Sequence, residues 1–430
     1  MINTMRLSRR GFLRTSVGTA GLLAVGANLT LPPLLAAAAG KLEIFSWWTS
    51  PGEVEALQAL YDVFKPQNPG VDVVNAALAG GTGAGGNMKA VLQTRMLAGQ
   101  PPDSFQVHLG HELIDSHVKA GRMEPIDFLY ESEGWANVFN QQVQQIAASD
   151  GHQWSVPVNI HRSNIIWFNN DLVAKSGMAN PASFDDWFAM ADALKAQGIP
   201  ALAIGESNPG HAAHTLETIL QAVFGPNDYK GLWTGATSWT DPRLKDALST
   251  FNRMLDYVNP DYLSVAGADI TDYIIAGKAA SMINGDWTNG YFKSKKFTSF
   301  SYLPTPSGAG VYSALADSFG LPVNAPDRDN AVAWLKVCGS LAGQDGFNPL
   351  KGSIPIRSDA GKTAAYDDYQ RWAMNEFAND TIVPSVVHGF AAKESWVTDY
   401  VNYVNVFATN RDVDAAANAL LQAAQDAGVA

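Results

Sequence analysis

Cysteine is almost absent: Cys338 is the one cysteine in 430 residues. That excludes a disulfide framework, a cysteine-rich metal site and an iron–sulfur cluster. No cysteine stands near the start of the chain to carry a lipid. A basic surplus is also missing. Twenty-nine Lys and Arg stand against 41 Asp and Glu, a net charge of −12 with histidine neutral. Such a chain offers phosphate no electrostatic footprint, which argues against a nucleic-acid partner. The acidic balance reads as solubility. No G-x-S-x-G elbow and no H-E-x-x-H occurs. The eight histidines show no cluster with carboxylates at metal-ligand spacing. His108 and His111 are three apart, but the first ends a strand, which argues against a shared metal. Long hydrophobic runs are missing too. The apolar stretch Val17 to Leu35 is weak and broken by glycine, Pro32 and Pro33, which argues against a membrane anchor.

What is present begins with an address. Ser8-Arg9-Arg10-Gly11-Phe12-Leu13 is a twin-arginine signature, followed by the small-residue run Ala36-Ala37-Ala38-Ala39 suited to cleavage. Residues 1–39 are therefore expected to be an export signal, and the mature protein to be free in a periplasm-like space. The chain is too long for one compact core, and length suggests two or three domains. Hydrophobic residues make up 47% and charged residues 16%, ordinary for a globular protein, but twelve tryptophans are many.

Strand and helix patterns alternate. Strands are expected at Lys41–Trp48, Val71–Leu78 and Ser104–His108, with helices at 53–65 and 87–99 between them. Strand–helix alternation implies a parallel sheet with crossover helices. The pattern resumes with strands near 159–168, 199–204, 279–284, 297–303 and 314–323. Helices are expected near 183–198, 211–223, 241–257, 269–276 and 327–342, and the tail from Asp367 is mostly helical. The fold class read from this is α/β, with two lobes and a ligand cleft between them. Crossings between lobes are expected at Val156–Ser163, Leu303–Gly310 and Asn348–Ile354. One lobe then comprises 40–158 and 307–348, and the other 159–306 and 349–430.

Gly81-Thr82-Gly83-Ala84-Gly85-Gly86 matches G-x-G-x-x-G between a strand and a helix. It follows the second strand rather than the first, and no acidic residue ends a strand about 20 residues on, as a ribose partner would. It also lacks the Lys and Ser/Thr of a phosphate-binding loop. A loop near the cleft is the better reading. Trp47 and Trp48 end the first strand, Gln106 and His108 end the third, and Glu53 opens the following helix. In an open α/β sheet these ends share one rim, where ligands bind. Aromatic faces stack on sugar rings, while carboxylates and amide, Lys or His groups bond hydroxyls. Asp286-Trp287 repeats the acid–aromatic pairing at another strand end. His161-Arg162 reads as a contact between lobes. Glu53 and Asp317 could imitate a glycosidase pair.

Several runs together resemble the extracellular solute-binding proteins of sugar ABC transporters, nearest to the glucose-binding group related to maltose-binding proteins. They are Phe45-Ser46-Trp47-Trp48 with Glu53, Ala98-Gly99-Gln100-Pro101-Pro102-Asp103, Val156-Pro157-Val158-Asn159-Ile160-His161-Arg162, Gly285-Asp286-Trp287, and Asn348-Pro349-Leu350-Lys351-Gly352-Ser353-Ile354-Pro355. The resemblance implies a two-lobed periplasmic-binding fold that closes on one sugar, most often glucose. It implies that Trp47 and Trp48 wall the pyranose. It implies that Glu53, Gln106, His108, Asp317, Lys351 and His388 bond its hydroxyls, and that Trp287 is a second platform. It implies a monomer without cofactor or metal, partnered by an ABC permease. An exported sugar-active enzyme is the alternative, and a chemoreceptor partner is a variant of the binding reading.

Overall fold

A computed structural model describes residues 40–78 and 85–429. The twin-arginine segment and most of the glycine run at 81–86 lie outside the described residues. Thirteen strands are described. They are β1 (Gly40–Phe45), β2 (Val71–Asn75), β3 (Ser104–His108), β4 (Ala148–Ser149), β5 (His152–Gln153), β6 (Ser155–Pro157), β7 (His161–Arg162), β8 (Ile165–Asn169), β9 (Ser281–Ile283), β10 (Phe300–Pro304), β11 (Val311–Leu315), β12 (Asp317–Gly320) and β13 (Thr381–Pro384).

A five-stranded sheet has the order β2-β1-β3-β12-β6. The first three strands are parallel, as the alternation predicts, while β12 runs antiparallel to both neighbours. Its register places Asp317 opposite His108 and Phe319 opposite Gln106. Strand β3 is buried along its whole length, which suits a central strand covered on both faces. Two further sheets, β10-β8-β9 and β13-β11-β7, lie in the other half, and β4 and β5 form a hairpin. The stretch 199–204 is not a strand, and only Leu202 makes isolated bridges there.

Two of the chain's three passages between the sheet systems are very short. One runs from Pro157 to His161, inside the first expected crossing. The other is the single residue Ala316, between β11 and β12. The expected lobe boundary at 307 is corrected by this: β11 pairs with β7 and β13 only. The Pro/Gly stretch at 304–310 is a turn joining β10 to β11. Near 354, Ile354 bridges Ile160, so the third expected crossing lies against the first.

Two apolar clusters form the core, the first running on into the other half through Trp167, Met282 and Tyr312. One is centred on Leu42, Ile44, Phe105, Phe319, Trp334 and Phe347, the other on Phe168, Trp187, Leu216, Trp239, Phe251 and Trp396. The helix Glu53–Gln67 buries Ala56, Leu57, Leu60, Tyr61 and Phe64 along one face and carries Glu53 and Glu55 in its first turn, where acids complement the helix dipole. The helix His211–Thr234 is buried on nearly every side as far as Gln221 and is broken at Gly225, whose φ of 72° is left-handed. Cys338 is buried and free. Among the described residues no helix is long and apolar enough to cross a membrane.

Candidate functional site

A cavity of about 360 Å³ lies where the two sheet systems meet. Its walls come from strand ends and helix starts, as expected of an open α/β sheet. Of the nine residues singled out from the sequence, seven line it: Trp47, Glu53, His108, Trp287, Asp317, Lys351 and His388. Trp48 and Gln106 do not.

The adjacent tryptophans part because successive side chains of an extended chain point to opposite faces. Trp47 leans over His108 at a ring separation of 4.9 Å, facing the cavity. Trp48 turns into the core, edge-on to Phe319 at 5.6 Å and tilted against Phe347 at 4.9 Å. The expectation that both wall a sugar is corrected for Trp48. Its ring lies 5.7 Å beneath the ammonium of Lys351, so it supports the cavity through that residue. Gln106 is likewise one layer back. Its Oε1 accepts from Trp47 N–H at 3.1 Å and its Nε2 donates to Asp317 Oδ1 at 2.8 Å. Gln106 faces a second cavity shared with Lys89, Glu112, His117 and Glu394.

Glu53 and Lys351 pair across the first cavity's floor, Nζ to Oε1 2.9 Å. Two glycines let their helices meet. Gly52 has φ 84°, and a Cβ there would sit 2.7 Å from the Gly290 carbonyl carbon. A Cβ on Gly290 would sit 2.5 Å from the carbonyl oxygens of Leu350 and Lys351. Backbone-to-backbone contact of this closeness admits only glycine.

Asp317 is the more heavily engaged of the two carboxylates that line the cavity. Oδ1 accepts from Gln106, and Oδ2 accepts from Asn159 Nδ2 at 2.9 Å and lies 3.0 Å from His161 Nε2. The other ring nitrogen of His161 bonds Asp286, which also accepts from the Arg162 N–H at 3.0 Å. Burial would raise Asp317, but the hydrogen bond and charge of His161, with the charges of Lys351 and His108, hold it far below the usual carboxylate range. Burial would lower His161, yet Asp286 and the Asp317 bond outweigh it and hold the ring above its ordinary value. The three form a carboxylate–imidazolium–carboxylate row reaching from one half to the other. His161, read from sequence only as a contact between lobes, therefore does both: it joins the halves and lines the cavity. Arg162 is purely structural. It is fully buried, stacked on Tyr312 and Trp372, and paired with Glu376 and Asp380.

His108 is oriented from behind. Its Nδ1 lies 2.7 Å from Glu112 Oε2, which also accepts from Lys89 Nζ at 2.7 Å. Burial would raise Glu112, but the charges of Lys89 and His108 bring it down to about 2. An ionised carboxylate can only accept, so Nδ1 carries a proton and Nε2 faces Asp317, 3.9 Å from Oδ1.

Trp287 and His388 of the opposite wall were foreseen, but the rest of it was not. His211 and His214, from the long helix, join His108, His161 and His388 at this cavity, so five of the eight histidines gather in one place. Among the described residues no group of three or more His, Cys, Asp or Glu is arranged to hold a metal ion. Trp287 sits among the rings, 5.5 Å from His161, 6.0 Å from His214 and 5.4 Å from His388. His211 Nε2 lies 2.8 Å from the Ile283 carbonyl, and His214 Nε2 lies 2.9 Å from the Ser163 carbonyl. A carbonyl only accepts, so both rings carry their proton on Nε2. Burial pushes both down to about 4, helped in His211 by the neighbouring His214. Burial, with the charges of other histidines and Lys89, holds His388 well below its ordinary value. The signal in the sequence was the spacing His211, His214, Glu217, Gln221, a polar stripe on one face of an otherwise apolar helix.

The chain matches the family model for bacterial extracellular solute-binding proteins over residues 48–345. It is 36% identical over 419 residues to an uncharacterized ABC transporter extracellular-binding protein of Pyrococcus horikoshii, covering 96% of this chain and 94% of that one. It is 29% identical to a probable sugar-binding periplasmic protein of Rhizobium meliloti, covering 85% and 88%. Among solved structures, the bacterial solute receptor AcbH, described as exclusive for β-D-galactopyranose, superposes with a TM-score of 0.79. There the identity is 17%, over 90% of this chain and 98% of that one.

Proposed function

The chain belongs to the bacterial extracellular solute-binding proteins, and from that premise we propose that its cavity captures a monosaccharide, glucose foremost. It is a sugar-binding receptor of an ABC transporter, acting outside the cytoplasm, and not an enzyme. The finer reading rests on one observation. Two indole rings, Trp47 and Trp287, share a cavity with a Glu53–Lys351 pair, an ionised Asp317 and three neutral histidines. Apolar ring faces and hydroxyl edges need that mixture of stacking planes, acceptors and donors. About 360 Å³ is at the small end of ligand cavities, which run roughly 300–1,000 Å³, and this favours a monosaccharide over a long glycan.

The mechanism proposed is hinge closure. The passages at 158–160 and at Ala316 bend, and bound sugar favours the closed state because it touches both halves only there. The closed monomer then docks on the permease. Export through the twin-arginine route completes the proposal. The test uses protein stripped of ligand by unfolding and refolding, with melting and small-angle scattering recorded with and without each of glucose, galactose, mannose, xylose and maltose. One hexose should raise Tm and reduce the radius of gyration, since a ligand at 100 times its Kd stabilises by about 2.7 kcal/mol. No shift with any of the five overturns the monosaccharide reading.

A further inference from the structure

Glu217 lies behind the neutral wall and touches no part of the cavity, yet five donors aim at it. Oε1 is 2.7 Å from the Tyr229 hydroxyl, 2.8 Å from Val386 N and 3.3 Å from Gln221 Nε2. Oε2 is 3.2 Å from Val387 N and 3.2 Å from Ser385 Oγ. Ser385 Oγ in turn is 2.8 Å from His388 Nδ1, and His388 lines the cavity. A single hydroxyl thus stands between a fully buried carboxyl and a ring that faces the ligand.

The hydroxyl has one proton, so the row has two consistent directions. With Glu217 ionised, Ser385 donates to Oε2 and accepts from His388 Nδ1–H, and Nε2 presents a lone pair to the cavity. With Glu217 protonated on Oε2, the carboxyl donates to Ser385, Ser385 donates to Nδ1, and Nε2–H becomes a donor. We infer that Glu217, acting through Ser385, decides which nitrogen of His388 carries the proton, and so whether that ring accepts a hydrogen bond from the ligand or donates one. The interchange balances. One proton enters at Nε2 from the cavity, the Nδ1 proton passes to Ser385, and the serine proton passes to Glu217.

Both states are reachable near neutrality. Burial, against its hydrogen bonds, pushes Glu217 up to about 7, while the ring stays neutral throughout because His388 is held well below its ordinary value. The groups facing Glu217 are Tyr229, from its own helix, and Tyr400, and both stay protonated since burial carries them well above their ordinary range. The groups facing His388 are His108 and His214, at ring separations of 5.7 and 5.2 Å, with the charges of Lys89 and His161 beyond them. Glu217 and Ser385 are positioning residues that tune which hydroxyl pattern the cavity favours, an inference that rests on the sugar-binding reading.

The test is imidazole nitrogen NMR on ligand-free, histidine-labelled protein from pH 5.5 to 8.5, with His388 assigned by its loss in His388→Gln. The proton should move from Nε2 to Nδ1 as pH rises, with a midpoint near 7. Glu217→Gln, whose amide donates to Ser385, should hold the proton on Nε2 at every pH. Ser385→Ala, the gentler change, should abolish the pH dependence. An unchanged tautomer across the pH range in the wild type, or the same tautomer at pH 8.5 in wild type and Glu217→Gln, overturns the inference. Titration with glucose and its deoxyfluoro series, whose fluorine cannot donate, follows. One fluoro position should lose at least fivefold in affinity at pH 8.5 and less than twofold at pH 5.5, and a loss equal at both pH values overturns the claim on specificity. If no sugar binds, the sugar reading fails while the NMR result stands or falls by itself.

Discussion

The two walls of the cavity are polar for opposite reasons. On one side Asp317 and His161, with Glu112 behind His108, are buried, but partners keep their charged forms. On the other side His211, His214 and His388 are equally buried, and burial wins, so the rings are neutral. The difference lies in the neighbours. The charged wall is built of matched acids and bases, and the neutral wall of carbonyls and a hydroxyl. A charged wall makes strong bonds but is held rigid by its own partners. A neutral wall makes weaker bonds whose direction depends on which nitrogen holds the proton. Affinity on this account comes chiefly from the first and discrimination from the second.

The charged wall is most vulnerable at Asp317. Asp317→Ala strands the imidazolium of His161 and the amides of Gln106 and Asn159, and should cost about 3–5 kcal/mol of stability; urea unfolding measures it, and sugar binding should vanish with it. The neutral wall should respond to acid instead. His211 and His214 have folded values near 4 against 6.5 unfolded, so the unfolded chain binds more protons in that window. Stability is then present above 6.5 and lost as pH falls towards 4, by up to about 3 kcal/mol for each ring. Glu217 has the reverse sign. Its folded value near 7 exceeds 4.5, so its contribution is present below 4.5 and lost as pH rises through 7. Melting curves of wild type, His214→Leu and Glu217→Gln across pH 4 to 8.5 separate the two. A smaller effect is expected at Lys351. Lys351→Met removes a charged donor and should weaken binding by about 2 kcal/mol, roughly 30-fold, as read by calorimetry. The smallest is Trp47→Ala, about tenfold in affinity for the lost stacking plane, with little change in Tm.

Much of the charged wall was legible in the sequence because strand ends and helix starts announce themselves. The third strand is as expected, and the helix beginning at Glu53 differs by two residues at its far end. Trp48 was misplaced because the pattern gives the rim but not the phase: one step along an extended chain exchanges core for cavity. Gln106 shares the face of His108 but lies two residues back from the strand end, behind Trp47 and Asp317. The boundary at 307 was misplaced because the passage is one residue, Ala316, between two strands that read as a single run. His388 of the neutral wall was foreseen, but His211 and His214 were missed because they come from a helix that looks like ordinary core. Only the carbonyls of Ser163 and Ile283, far away in the chain, give His214 and His211 their roles.

The most direct measurement is calorimetric titration of the ligand-stripped mature protein with glucose, beside galactose, mannose, xylose and maltose, repeated with Trp47→Ala and Trp48→Phe. Saturable one-to-one binding of one hexose is expected, about tenfold weaker in Trp47→Ala and unchanged within about threefold in Trp48→Phe. No heat with any sugar, or a larger loss in Trp48→Phe than in Trp47→Ala, would contradict this expectation.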